Sequence, residues 1–140
     1  MELLPIDEKK SRAAAEEVLE QYREKRAIVR MPAMPKLTSS WGDGTANSTA
    51  PRSPYAQQLL EDRERARGFC SWVEASIDHL PRELHQRLLL ARYVDGSETQ
   101  HPDLTAMDVL DISSSHYFRI KAQALLAVSY YLGLQRDSKN

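Results

Sequence analysis

The sequence predicts an all-α fold, on three observations. Two long stretches, 8–27 and 54–79, contain almost no Gly or Pro and repeat apolar residues at three- and four-residue steps. The seven prolines and five glycines fall mostly between positions 31 and 96, where they punctuate. The region 103–133 reads as two further helices joined by a turn of about three residues, the pattern of a helix-turn-helix.

In the first helix, Asp7 is placed to cap the amino end, and Ala14, Val18, Leu19 and Tyr22 form one stripe among charges of both signs. Pro32 and Pro35 end it near Arg30, because each proline also drives its preceding residue out of the helical region. Positions 31–53 are rich in Pro, Ser, Thr and Gly, with Trp41 the only large aromatic, and read as a flexible linker. Trp41 reads equally well as a partner anchor or as a residue folded back on the domain.

Ser53-Pro54 then supplies a cap and a first-turn proline for a second helix, whose stripe is Tyr55, Leu59, Ala66, Phe69, Cys70, Val73 and Ile77. Leu80-Pro81 breaks it and starts a short apolar helix with Leu84, Leu88 and Ala91 inward, stopped by Asp95-Gly96. Asp103 is the expected cap of the next helix, with Leu104, Met107 and Leu110 facing the core. Asp111-Ile112-Ser113 is the turn, and Ser113 the cap of a last helix whose stripe is Tyr117, Ile120, Ala124, Leu125 and Val128 and whose stop is Gly133. The organisation expected is therefore an amphipathic helix at 1–30, a linker at 31–53, a helical domain at 54–134 and a frayed tail at 135–140.

Charge is informative only locally. The net charge is −1 and the isoelectric point about 6.4, against the basic balance common in nucleic-acid binders. Yet from Ile112 to Arg136 there is no Asp or Glu, while Arg119, Lys121 and Arg136 are present. The first turns of that helix offer Ser114, Ser115, His116, Phe118 and Arg119, short donors plus one fork suited to base edges and phosphates. The bland alternative is a solvated polar face on a terminal helix, and His116 beside an arginine reads more simply as solvated than as a sensor.

Other chemistries find no purchase. Cys70 and the four histidines lack metal-ligand spacing, and Cys70 on an apolar stripe reads as a small core residue. Glu61-Asp62-Arg63-Glu64-Arg65 reads as a solvated helix face. Neither a phosphate-cradling glycine loop nor a nucleophile elbow occurs, so no enzyme activity and no cofactor are expected. The acidic start and single cysteine suit a cytoplasmic protein, and no stretch has the roughly 20 apolar residues of a membrane span.

Leu80-Pro81-Arg82-Glu83, Ala91-Arg92-Tyr93, Leu110-Asp111-Ile112-Ser113, Tyr117-Phe118-Arg119-Ile120-Lys121 and Ala124-Leu125 resemble the ArpU family of phage regulators. Val18, Leu19, Tyr22 and the segment from Met31 to Thr38 also resemble that family's opening helix and Pro-Lys-Ile/Leu-Thr arm. The resemblance spans nearly the whole chain through short motifs in a matching order.

It implies a transcriptional regulator of phage or prophage genes, late genes among them, with a carboxy-terminal part similar to region four of sigma factors. Double-stranded DNA is the implied partner, with host RNA polymerase as a second, in the cytoplasm of a bacterial host. Ser113 then matches the recognition-helix cap, Tyr117 and Ile120 its buried anchors, and Ser115, Arg119 and Lys121 its exposed polar face. The family usually carries glycine where this chain has Asp111. A homodimer would use the helices at 8–27 or 55–79, which suit intramolecular packing equally well. The rival readings are a small terminase-like packaging subunit and a helical protein-interaction module without nucleic acid.

Overall fold

The computed structural model describes residues 6–32, 54–96 and 98–136, and every regular element among them is helical. The expected linker from position 33 to 53, including the cap Ser53 and Trp41, lies outside the described residues, as do positions 137–140 of the expected tail.

Helix α1 spans Glu8–Val29, and the Asp7 carboxylate accepts from the Lys10 N–H as its cap. Its buried face is Ser11, Ala15, Leu19 and Tyr22, so Ala15 rather than Ala14 begins the inward stripe. α2 spans Pro54–Asp78 and buries Ala66, Cys70, Val73 and Ile77, whereas Tyr55 stands exposed. The break at Leu80-Pro81 is held by Gln86, whose amide donates to the Leu80 carbonyl (2.7 Å) and the Asp78 carbonyl (3.0 Å) at the end of α2.

α3, Glu83–Leu89, continues directly into one π-helical turn, Leu90–Asp95. That turn closes with the Gly96 N–H on the Ala91 carbonyl at 2.9 Å. α4 spans Pro102–Leu110 and α5 spans Ser114–Tyr131, with Gly133 left-handed (φ 74°) beyond its end. The halt expected at Gly133 therefore stands, since a positive φ there suits glycine.

A single apolar cluster joins all five helices. Leu19 and Tyr22 of α1 meet Val73 and Ile77 of α2, Leu88 and Leu89 of α3, and Tyr117, Ala124 and Val128 of α5, each almost fully buried. At roughly 1.5–3 kcal/mol per large apolar side chain withdrawn from water, Leu19 and Tyr22 give α1 a substantial share of the core, smaller than that of α5 with Tyr117, Ile120, Leu125 and Val128. α1 therefore packs within the same core as the helices after position 53, chiefly on α2 and α5.

Three further expectations are corrected. Asp103 does not cap α4: His101 holds the cap position without a side-chain bond, Pro102 opens the helix, and the Asp103 carboxylate turns to charged neighbours instead. Leu104 does not face the core; it is 57 % exposed, because Ala106 and Leu110 set an inward stripe on which Leu104 does not lie. Nor do Gln135 and Arg136 fray. The Asp7 N–H donates to the Arg136 carbonyl (2.7 Å), and the Arg136 N–H donates to Ser11 Oγ (2.8 Å), so the chain beyond α5 is tied to the start of α1.

Buried His85 is expected to give stability a pH dependence. His85 of α3 is 7 % exposed, and neither ring nitrogen has a hydrogen-bond partner in good geometry. Burial pushes its imidazole below the ordinary 6.5; the nearby Gln123 side chain opposes that, and the Arg82 charge adds to it. The neutral ring is thus favoured in the fold, so its contribution is complete above about pH 6.5 and is lost as pH falls from there through the depressed folded value. Denaturant melts should show stability declining below that pH, and His85→Leu should flatten the decline. An unchanged decline in that variant would assign it to other groups.

Candidate nucleic-acid interface

The region expected to carry function is built around the turn between α4 and α5. Leu110 ends α4, and Asp111 takes a left-handed conformation (φ 56°, ψ 51°), the one non-glycine residue with positive φ among those described. An L-residue other than glycine bears about 1 kcal/mol there, aspartate somewhat less. Ser113 is extended, and its hydroxyl accepts from the His116 N–H (3.3 Å), so the expected cap of α5 is in place. Rather than lying along α5, α4 rests on the π-helical turn, while α5 runs against α1 and α3.

Buried side chains fix how α5 is rotated. Tyr117 is fully buried and Ile120 nearly so, as expected of the anchors. Their burial leaves Ser114, Ser115 and Arg119 exposed and His116 half-buried. Phe118 is 47 % exposed and meets the Tyr117 ring edge-on, with centroids 5.0 Å apart. Gln123, one turn beyond Arg119, is also exposed and extends the polar stripe. Sequence reading passed over it, although the spacing Ser115, Arg119, Gln123 at four-residue steps was there to find it.

Lys121 is the exception. Its side chain is only 11 % exposed, and its ammonium lies 3.0 Å from Asp103 Oδ1 and 3.3 Å from Glu16 Oε2. The expected exposed cation is instead covered by α1 and α4, because a long amine beside two carboxylates gains more from pairing than from solvent. Arg136 lies beyond α5 and uses its backbone to hold α1, so the positive charge that α5 itself presents reduces to Arg119.

Lys121 belongs to a polar junction of four elements. Asp103 Oδ1 accepts from Arg92 Nε (3.0 Å), Tyr117 Oη (2.5 Å) and Lys121 Nζ (3.0 Å). Arg92 also donates to Glu20 (3.0 Å), and the Tyr93 hydroxyl donates to Glu16 (2.7 Å). The Arg92 guanidinium lies over the Tyr93 ring, 4.4 Å from its centroid.

Burial raises the Asp103 carboxyl, but the bonds from Tyr117 and Lys121 and the charges of Lys121 and Arg92 outweigh it and hold the group below its ordinary value. Tyr93 and Tyr117 are pushed well up, first by burial and then by their carboxylate partners, so both donate as neutral phenols. α5 is thereby clasped to α1, α4 and the π-helical turn on one side while its Ser115–Arg119–Gln123 stripe faces outward.

Among the described residues no group of His, Cys, Asp and Glu is placed to hold a metal ion, and no helix is long and apolar enough to cross a membrane. Cys70 is a free, buried thiol raised first by burial and then by Glu74. No family model matches the chain, and neither a curated protein nor a solved structure matches it significantly.

Proposed function

We propose that this protein binds duplex DNA in a sequence-dependent way through the amino-terminal turns of α5, as a transcriptional regulator of the phage or prophage type that the ArpU resemblance implies. The observation that carries the reading is α5 itself: a helix without a single acid, capped by Ser113, rotated so that Ser114, Ser115 and Arg119 are exposed. The sharp left-handed turn at Asp111 and the resting of α4 on the π-helical turn favour a helix-turn-helix over an antiparallel pair. In such a unit the amino-terminal residues of the second helix meet base edges in the major groove.

Arg119 is the residue suited to a bidentate contact with guanine, and the two serines are suited to phosphates at the helix start. Phe118 and His116 flank that edge. Recruitment of host RNA polymerase, a homodimer on paired half-sites and a bacterial cytoplasmic setting belong to the same reading and rest on the resemblance.

Footprinting on DNA flanking the gene itself and on late phage promoters is the direct test. Given a protected site, Arg119→Ala should weaken binding to it by about 1–3 kcal/mol and relax base preference at one position. Wild-type affinity and preference in that variant would remove Arg119 from the interface, and absence of duplex binding by the wild-type chain would end the proposal.

A further inference from the structure

With Lys121 withdrawn into its ion pairs, α5 offers a polyanion one free cation, Arg119. Duplex binding draws much of its free energy from neutralising several phosphates, so a neighbouring element has to supply further positive charge. Besides α1, whose charges Lys121 already meets, the helix packed most extensively on α5 is α3. Buried His85 of α3 is near enough to the Gln123 side chain of α5 to be influenced by it, and Arg82 precedes His85 by about one helical turn. The Gln123 end of the polar stripe therefore comes close to α3 at His85, about one turn after Arg82 at the start of that helix.

Arg82 is exposed, and its side chain has no ion-pair or hydrogen-bond partner among the described residues. The neighbouring acid, Glu83, does not share that position. His85, Leu88 and Leu89 form the buried side of α3, while Glu83 and Arg87, one turn apart, are exposed on its opposite side. Two arginines of one short segment thus face different ways: Arg82 lies on the His85 side of α3, and Arg87 stands beside Glu83.

We propose that Arg82 is a second nucleic-acid contact, holding a backbone phosphate next to the groove that receives α5. The interface is then bipartite, with bases addressed from α5 and a phosphate clamped from α3, a contact that sets register without reading sequence. This rests on the duplex-binding reading above.

The test measures affinity of the full chain for a short random-sequence DNA duplex over a range of salt concentrations. Each phosphate contact adds about 0.9 to the slope of log affinity against log salt. Arg82→Ala should make the slope shallower by about that amount and weaken binding about three- to tenfold at fixed salt, while Arg82→Lys retains the slope. Arg87→Ala is the control and should leave the slope unchanged. Thermal melts should match wild type, since the Arg82 side chain supports no contact; Arg82→Gln replaces the alanine variant if it does not fold.

An unaltered slope in Arg82→Ala overturns the assignment while leaving the α5 reading intact. An equal loss in Arg87→Ala does so too, because it would report general surface charge. A wild-type chain that fails to bind the duplex even at low salt overturns both.

Discussion

Asp103→Ala is expected to destabilise the protein by about 2–3 kcal/mol, read from urea or thermal unfolding. Removing one partner of a buried ion pair typically costs about 3–5 kcal/mol, because the other charge is left desolvated and unpaired. The figure is lower here for two reasons: the Asp103 side chain is 31 % exposed, and each cation retains a second acid, Glu16 for Lys121 and Glu20 for Arg92. Exchanging both partners for apolar groups should cost far less than the sum of the single changes. In a double-mutant cycle, Asp103→Ala with Lys121→Met should therefore show a coupling of about 1–2 kcal/mol.

The pH dependence follows from the sign of the carboxyl's shift. The folded state favours ionised Asp103 below its ordinary value of 3.8, so the stabilisation is present above that pH and is lost as pH falls through the lower folded value. The Asp103→Ala variant should lack that limb of acid unfolding while keeping the His85 limb that begins near pH 6.5. Additive single changes with no coupling would mean that Asp103 and Lys121 act separately.

Local signals in the sequence placed most of the secondary structure. Asp7, Ser113, Gly133 and the Leu80-Pro81 break act within a few residues of themselves, so a single sequence displays them fully. The same holds for Tyr117 and Ile120, whose stripe orients α5. Lys121 shows where such reading stops. Its fate depends on Glu16, over a hundred positions earlier, and on Asp103 in the preceding helix, and no periodicity reveals that both carboxylates reach it.

Asp103 misleads for the same reason. Its position before an apolar run is that of a cap, but three donors from Arg92, Tyr117 and Lys121 compete for its oxygen and win. The sequence charge of α5 was legible; how much of that charge remains available to a ligand was not. The outward face of α5 is therefore narrower than its composition implies, and the neighbouring helix matters more.

Gly96→Ala should lower stability by about 2–3 kcal/mol, although Gly96 has an ordinary negative φ of −102° and needs no glycine on conformational grounds. The reason is space. A Cβ at position 96 would lie 2.5 Å from the Ala91 carbonyl oxygen, the acceptor that the Gly96 N–H uses to close the π-helical turn. That neighbour is backbone, so it cannot rotate away like the end of a long side chain. Relief requires opening the turn, and the turn carries Arg92 and Tyr93, the members of the polar junction that meet Glu20 and Glu16 of α1. Local crowding should therefore spread to the seat of α4 and α5. Hydrogen exchange in Gly96→Ala is expected to rise over the π-helical turn and α4 more than over α2. A variant that melts like wild type would show that the turn can relax into an ordinary α-helical ending, and that its wider winding is not what holds α4 in place.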